Sequence, residues 1–291
     1  MFAYIKTFFF LLLHKEVKIV HIHTASYNSF KRSSIFVSLS NFMNRKVVLH
    51  IHGGGFKEYY HTNPLWIKSV LEKCDVLVAL TESWKCFYES LGCTNVKVVS
   101  NIIPNPLYRN IDADGLIHLL FLGWIVKEKG IYDLLDVLAA HKKEWENKLR
   151  LHVGGNHEVE KLINYIDSNH LEKIVSYEGW VTGEKKIYLL NLMDVFILPS
   201  YTEGMPISIL EAFSYGKPVI STPVGGIPEM VNNDNGFLFQ PGDKKSLEAI
   251  LISIITDPDK LYARRQHTKE TVYKNMPESV AAQLMDVYNF L

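Results

Sequence analysis

From Val17 onward the chain alternates short runs of β-branched and apolar residues with longer segments whose apolar residues recur every three or four positions. That alternation restricts the fold sharply, because a strand, a helix and a second strand in succession return to one sheet in parallel. The first strand candidates are residues 17–23, 46–52, 76–80 and 96–99, each apolar nearly throughout, as strands covered on both faces are. A second series follows at residues 117–122, 149–153, 175–177, 195–198 and 218–221. Between the series, residues 101–115 hold Pro104 and Pro106, then Asp112 and Asp114, and read as a linker. The expected class is α/β, with two Rossmann-like doubly wound domains at residues 1–111 and 112–275. Val280, Leu284, Val287 and Leu291 then recur at three- and four-residue spacing, so residues 276–291 are expected to form a helix whose apolar face packs back across the first domain.

The length of 291 residues suits two such domains, and 47% hydrophobic against 21% charged residues excludes disorder. Lys+Arg and Asp+Glu number 31 each, and zero net charge argues against a protein that lives on neutralising nucleic-acid phosphates. The balance conceals an asymmetry: residues 1–110 hold 13 basic and 6 acidic side chains, a net of +7, which leaves −7 for the remainder. Cys74, Cys86 and Cys93 are odd in number and lack a C-x-x-C spacing, so neither a disulfide framework nor a zinc ribbon is expected, and a reducing cytosol is the default setting. Residues 7–13, Thr-Phe-Phe-Phe-Leu-Leu-Leu, resemble the apolar core of a signal peptide. No small-residue cleavage site follows, and the run is far below the roughly 20 apolar residues of a spanning helix. A buried amphipathic helix is the expectation there.

The densest chemistry lies at residues 199–212, Pro-Ser-Tyr-Thr-Glu-Gly-Met-Pro-Ile-Ser-Ile-Leu-Glu-Ala, where a strand ends, a glycine turn follows and Pro206 opens a helix. Glu203 then sits in the loop at the strand's carboxyl end and Glu211 in the second helical turn. Two carboxylates can thus face the kind of crevice in which open α/β sheets bind ligands. A carboxylate accepts two hydroxyl hydrogen bonds at once, which suits ribose and hexose, and the N–H groups of the turn at residues 204–207 suit an anion. Taken singly, each glutamate reads better as a capping acid or a solvated helix residue.

This segment resembles the E-x7-E signature of retaining GT-B glycosyltransferases, specifically glycosyltransferase family 4 (glycosyl transferases group 1). Residues 121–130, Phe-Leu-Gly-Trp-Ile-Val-Lys-Glu-Lys-Gly, resemble the family's G-R-x(n)-K-G loop, and Gly154-Gly155 its second glycine turn. Residues 218–221 with Gly225-Gly226-Ile227-Pro228-Glu229 resemble its P-V-I and G-G-x-x-E run, and Asn235-Gly236-Phe237-Leu238 completes it. The resemblance covers roughly residues 17–275, in matching order and spacing. It implies that Glu211 holds the ribose hydroxyls of a nucleotide diphosphate sugar and that Glu203 orients the donor sugar beside its anomeric centre. Lys129 would bind the diphosphate, where a fixed cation stabilises the charge gathering on the leaving group. Gly204, Met205, Pro206, Ile207, Gly123 and Val181 complete the implied donor-binding set. In His50-Ile51-His52-Gly53-Gly54-Gly55, His52 resembles the family histidine that reaches the donor sugar, and the glycines let a ligand approach the backbone. The arginine common earlier in the 123–130 loop is Trp124 here, read as a packing residue at a strand end, and whether Lys127 substitutes is left open.

The implied activity is transfer of a hexosyl unit, with retention, to a glycan or lipid-linked glycan in surface polysaccharide synthesis, in the cytoplasm at the inner face of the membrane. No metal or other cofactor is expected for it. The basic first half, with Phe56, Tyr59 and Tyr60 read as surface aromatics, suits anionic lipid. Against the family pattern, the first domain lacks its opening strand, its glycine-rich turn and a further βα unit, roughly 60 residues. With Trp124, this makes a non-catalytic nucleotide-sugar-binding remnant or partner subunit the alternative. A nicotinamide oxidoreductase would also suit two doubly wound domains, but no G-x-G-x-x-G follows a strand.

Three smaller features complete the reading. His21 with His23, and His50 with His52, share a strand face as i and i+2 pairs and so permit a metal site. The two strands need not be adjacent, however, and no carboxylate or cysteine accompanies them, so packing histidines are the expectation. Residues 24–32 offer hydroxyls and the Lys31-Arg32 pair either to an anionic acceptor or to a capped helix start. Asp112-x-Asp114 and Asp257-x-Asp259 match a D-x-D metal motif in form, but their settings read as turn chemistry.

Overall fold

Alternating strands and helices produce two parallel sheets in the computed structural model, which describes residues 2–291. Contacts divide the chain into two units. One comprises residues up to Asn101 together with Glu203–Met205 and Glu278–Leu291; the other comprises Ile102–Thr202 and Pro206–Pro277.

In the first unit β1 (Ile19–Thr24), β2 (Lys46–Ile51), β3 (Val76–Ala79) and β4 (Val96–Val98) lie side by side in chain order. The helices are α1 (Phe2–Leu13), α2 (Asn28–Phe42), α3 (Phe56–Thr62), α4 (Pro64–Leu71) and α5 (Glu82–Ser90). Pro64 suits the first position of α4, and the Asn63 side chain accepts from the Trp66 N–H; Thr81 caps α5 in the same way through the Trp84 N–H. Successive strand residues point to opposite faces. Ile22, Val47, Leu49, Ile51, Leu77 and Ala79 point toward α2–α5, where they meet Phe30, Phe56, Tyr59, Ile67 and Trp84.

Two expectations are corrected here. Phe56 and Tyr59 are buried and Tyr60 is half-buried, so they are not surface aromatics. Phe56 and Tyr59 stand three residues apart on α3 and form its inward face, while Lys57 and Glu58 between them are exposed. The N-terminal apolar run is helical, but it is not buried: Leu11 is covered, whereas Ile5, Phe9, Phe10, Leu12 and Leu13 are exposed. Six consecutive apolar residues at about 100° each wrap the whole helix, and no single face can hide them all.

The second unit contains β5 (Ile117–Leu122), β6 (Leu149–Gly154), β7 (Val175–Gly179), β8 (Val195–Leu198), β9 (Val219–Ser221) and β10 (Gly236–Leu238), in the order β10-β9-β8-β5-β6-β7. Every pairing in this sheet is parallel. Its helices are α6 (Ile131–Trp145), α7 (Val159–Asn169), α8 (Gly183–Leu192), α9 (Ile207–Ser214), α10 (Lys244–Thr256) and α11 (Asp259–Thr271). From β5 the chain builds outward through β6 and β7, then returns and builds the other way from β8. The switch point lies between β5 and β8. Residues 102–111 carry no helix or strand, and three of their backbone donors bond within this unit. Ile103 N–H donates to the Asn275 carbonyl, Leu107 N–H to Tyr215 Oη and Arg109 N–H to Asn191 Oδ1. The contact division therefore falls after Asn101, ten residues before the boundary expected at residue 111. Asp114 accepts the Leu116 N–H, while Asp257 closes α10 and Asp259 opens α11, all local turn chemistry. No described helix is long and apolar enough to cross a membrane.

The last helix, α12 (Pro277–Asn289), returns the chain from Glu278 onward to the first unit. Val280 and Val287 join Val48, Val76, Val78 and Val99 on the second face of the first sheet, each contributing on the order of 1.5–3 kcal/mol through burial. That face also carries imidazoles. The register sets His23 opposite His50, so β1 and β2 are adjacent, and successive rings lie close: His21–His23 at 4.5 Å, His23–His50 at 5.0 Å and His50–His52 at 4.2 Å between centroids. Tyr288 of α12 covers His21 through a 2.7 Å hydrogen bond.

Burial, reinforced by the neighbouring imidazoles, pushes His50 down to about 2 and His21 to about 4; burial also lowers His23, and burial followed by the His23 charge lowers His52. The folded-state values lie below the ordinary 6.5, so below that pH the unfolded chain takes up protons that the folded chain refuses. Stability is complete above pH 6.5 and is lost as the pH falls toward 4. The slope is at most about 1.4 kcal/mol per pH unit for each imidazole kept neutral, and less for the more exposed His21 and His23. Urea unfolding from about pH 7.5 to about pH 4.5 should show this decline, and His50→Leu should flatten it; parallel curves for the two proteins would contradict the assignment.

Candidate functional site

Ligands of open α/β sheets collect where strand order reverses, outside the carboxyl ends of the strands. In the second unit the loops that leave β5 and β8 flank that point. The β5 loop runs from Gly123 to Gly130 and is held by backbone bonds: Ile125 N–H donates to the Asn156 carbonyl, and Glu128 O accepts the Tyr201 N–H from the β8 loop, each at 2.8 Å. Gly130 adopts φ +69°, and a Cβ there would lie 1.9 Å from the Pro199 carbonyl oxygen, so only glycine lets the two loops approach this closely. Lys127 and Lys129 share a 3-10 turn, the first exposed and the second half-buried. Trp124 is 55% exposed and touches the His157 ring, while Ile125 takes the inward position. The expectation of a packing tryptophan is thereby corrected.

Glu211 lies in the second turn of α9, which Pro206 precedes with extended backbone. It is only 9% exposed, so it is not a solvated helix residue; Lys186 of α8 donates to its Oε1 at 2.6 Å. Pairing offsets the cost of burying the carboxylate. One of its roughly four acceptor positions is used by Lys186, leaving the rest for hydroxyls. Pro206 is buried and Ile207 exposed at the start of the same helix. Val181 is buried in the loop after β7, against Gly154 at the end of β6. Glu211, Pro206, Ile207, Gly123, Val181 and Lys129 therefore all belong to loops or helix starts at strand carboxyl ends of one sheet. Lys186 is a residue of this site that the sequence did not mark; its only signal was a place early in the helix after β7.

A cavity of about 570 Å³ in this unit holds none of these residues. It lies at the amino ends of β5, β8 and β9, lined by Asp114, Asp194, Lys217 and Arg265 among others. Burial, with the Arg265 charge, pushes Lys217 down to about 8 there.

Glu203, Gly204 and Met205 group by contacts with the first unit, as does His52. Glu203 and Met205 are buried, and a Cβ on Gly54 would lie 2.2 Å from the Glu203 carbonyl carbon, which explains a glycine in that position. Asn101 Nδ2 donates to the Met205 carbonyl at 2.8 Å, and its Oδ1 lies 3.2 Å from His52 Nδ1. His52 Nε2 lies 2.8 Å from His23 Nδ1. Asn101 was hidden in the sequence because its partners are 49 and 104 residues away. Ser29 Oγ accepts the Ala25 N–H, so part of the hydroxyl set at residues 24–32 serves the helix start, while Lys31 and Arg32 are exposed.

The profile of the glycosyl transferases group 1 family matches residues 110–274, more than half of the chain. Among curated relatives, the N-acetyl-alpha-D-glucosaminyl L-malate synthase of Bacillus anthracis is 26% identical over 236 residues, 76% of this chain and 61% of its own. The amylovoran biosynthesis glycosyltransferase AmsK of Erwinia amylovora is 26% identical over 192 residues, 62% of this chain and 47% of its own. The chain spans about half the length of several of the curated relatives it matches. Among solved structures, Anabaena HepE in complex with UDP and glucose superposes with a TM-score of 0.81 at 20% identity, over 97% of this chain and 80% of that one. The fold is that of GT-B glycosyltransferases. This chain belongs to the glycosyl transferases group 1 family.

Proposed function

We propose that the chain is a retaining glycosyltransferase that moves a hexosyl unit from a nucleotide diphosphate sugar to a glycan or lipid-linked glycan acceptor in surface polysaccharide synthesis. The observation that carries this reading is the buried Glu211, paired with Lys186, beside the strand-order switch of a group 1 chain. The amylovoran relative and the UDP and glucose bound to HepE support the substrate class. Glu211, its rotamer fixed by Lys186, accepts from the ribose hydroxyls. In the transfer, the donor C1–O bond breaks and the diphosphate leaves with the bonding electrons. Its charge is stabilised by Lys129 and the backbone N–H groups of the β8 loop, so no metal is needed. The acceptor hydroxyl then bonds through its oxygen to C1 from the face the diphosphate left, and its proton passes to the departing diphosphate oxygen. Glu203 orients the donor sugar, and His52, fixed by Asn101, reaches it.

Proton NMR of the reaction with UDP-, GDP- and ADP-hexoses should show one donor consumed and a product with the donor's anomeric configuration. Lys129→Ala and Glu203→Gln should each slow turnover by about 100-fold or more. An inverted product would overturn the retaining assignment, and donor binding without turnover would favour a nucleotide-sugar-binding subunit.

The setting proposed is the cytoplasm, at the inner face of the membrane. The +7 balance of residues 1–110 and the exposed Ile5, Phe9, Phe10, Leu12 and Leu13 of α1 support peripheral contact with anionic lipid. The protein should float with phosphatidylserine liposomes at low salt and be released as salt rises, and Lys15→Glu with Lys18→Glu should weaken the contact. Flotation indifferent to salt and to those charges would defeat it.

A further inference from the structure

The imidazole face of the first sheet has donor and acceptor groups that the protein leaves unused. His21 and His23 lie two residues apart on β1, and His50 faces His23 from β2, so the adjacency that the sequence left open is met. One ligand nitrogen from each of these three residues lies within 4.8 Å of the other two. A zinc ion about 2.0–2.1 Å from each nitrogen in tetrahedral geometry sets its ligands roughly 3.4 Å apart. Side-chain adjustments of about an ångström therefore close the set.

Hydrogen bonds fix where the lone pairs are. Asn101 spends its Nδ2 on the Met205 carbonyl and so presents Oδ1, which only accepts, to His52 Nδ1. His52 thus carries its proton on Nδ1, and its Nε2 accepts from His23 Nδ1–H. His23 consequently keeps a lone pair on Nε2. His21 Nδ1 is engaged by Tyr288 Oη, and its Nε2 is buried with no protein partner. Both ring nitrogens of His50 are buried and unpartnered; the Val99 carbonyl faces the ring without reaching hydrogen-bonding geometry. A tyrosine hydroxyl behind one ligand, an imidazole behind another and a valine shell from Val48, Val78 and Val280 are the surroundings that orient metal-bound histidines. His23 is exposed, which gives an ion a way in, while His50 closes the inner side.

We propose that His21, His23 and His50 form a three-imidazole site for a divalent transition-metal ion of the zinc class, behind the His52 that is proposed to reach the donor sugar. Three nitrogens without a carboxylate select zinc, cobalt or nickel over magnesium or calcium, and leave a fourth position for water. Coordination through His23 Nε2 holds the proton on His23 Nδ1, the form that His52 already requires. The ion thereby positions His52 without touching it.

Chelator-treated, tag-free protein should bind one Zn2+ per chain in isothermal titration, with a raised Tm and no response to Mg2+. Co2+ should give the intense visible bands of a four-coordinate site. His23→Gln, at the exposed edge, should weaken zinc at least about tenfold, and His50→Gln should do so further; if His50→Gln does not fold, His23→Gln carries the test. Zinc binding no tighter than magnesium would overturn the proposal. So would stoichiometric zinc unchanged in His23→Gln and His21→Gln, since the ion would then sit elsewhere, such as at His61 or Cys86. No sugar donor enters the titration, so it stands or falls apart from the glycosyltransferase reading.

Discussion

Parallel pairing of β5 with β6 on one side and β8 on the other is the constraint from which the donor-side arrangement follows. It places the loops of both strands at one end of the sheet and forces them together, to the point where Gly130 has no room for a side chain against Pro199. It sets α9 at the end of β8 and α8 at the end of β7, and so brings Lys186 to Glu211. Removing Lys186 would strand the buried Glu211 carboxylate, a loss of several kcal/mol in comparable pairs, so the pair ties local stability to the chemistry proposed for it.

The first sheet is organised by a different balance. One face is filled by aromatic and aliphatic side chains from α2–α5, whereas the other packs valines of α12 against valines interleaved with histidines. Leaving a buried polar group unpaired costs about 1–3 kcal/mol, and neither the N–H nor the lone-pair nitrogen of the neutral His50 ring has a hydrogen-bond partner. Through His23, His52 and Asn101 this face is bonded to the Met205 carbonyl, beside Glu203 and Gly204.

Much of the architecture was legible because parallel strands buried on both faces are continuous apolar runs. The strands at 117–122 and 195–198 were read to the residue, and the others to within about two. β10 escaped, since three residues starting with Gly236 carry no periodicity. The exposure of α1 and the burial of Phe56 and Tyr59 were misread because composition was weighed without helical position. The E-x7-E spacing marked Glu203 and Glu211, but Lys186, Asn101 and Tyr288 become partners only through tertiary contacts. The same holds for the two histidine pairs, whose meeting depends on the register of β1 on β2.

The second unit is proposed to bind a nucleotide diphosphate sugar through Glu211. Isothermal titration of the purified chain against UDP-, GDP- and ADP-sugars, with Glu211→Ala beside it, tests this most directly. Donors of one base should bind, with affinity weakened roughly tenfold to a hundredfold in Glu211→Ala by the loss of charge-assisted hydrogen bonds. Silence toward every donor, or equal affinity in the variant, would contradict it.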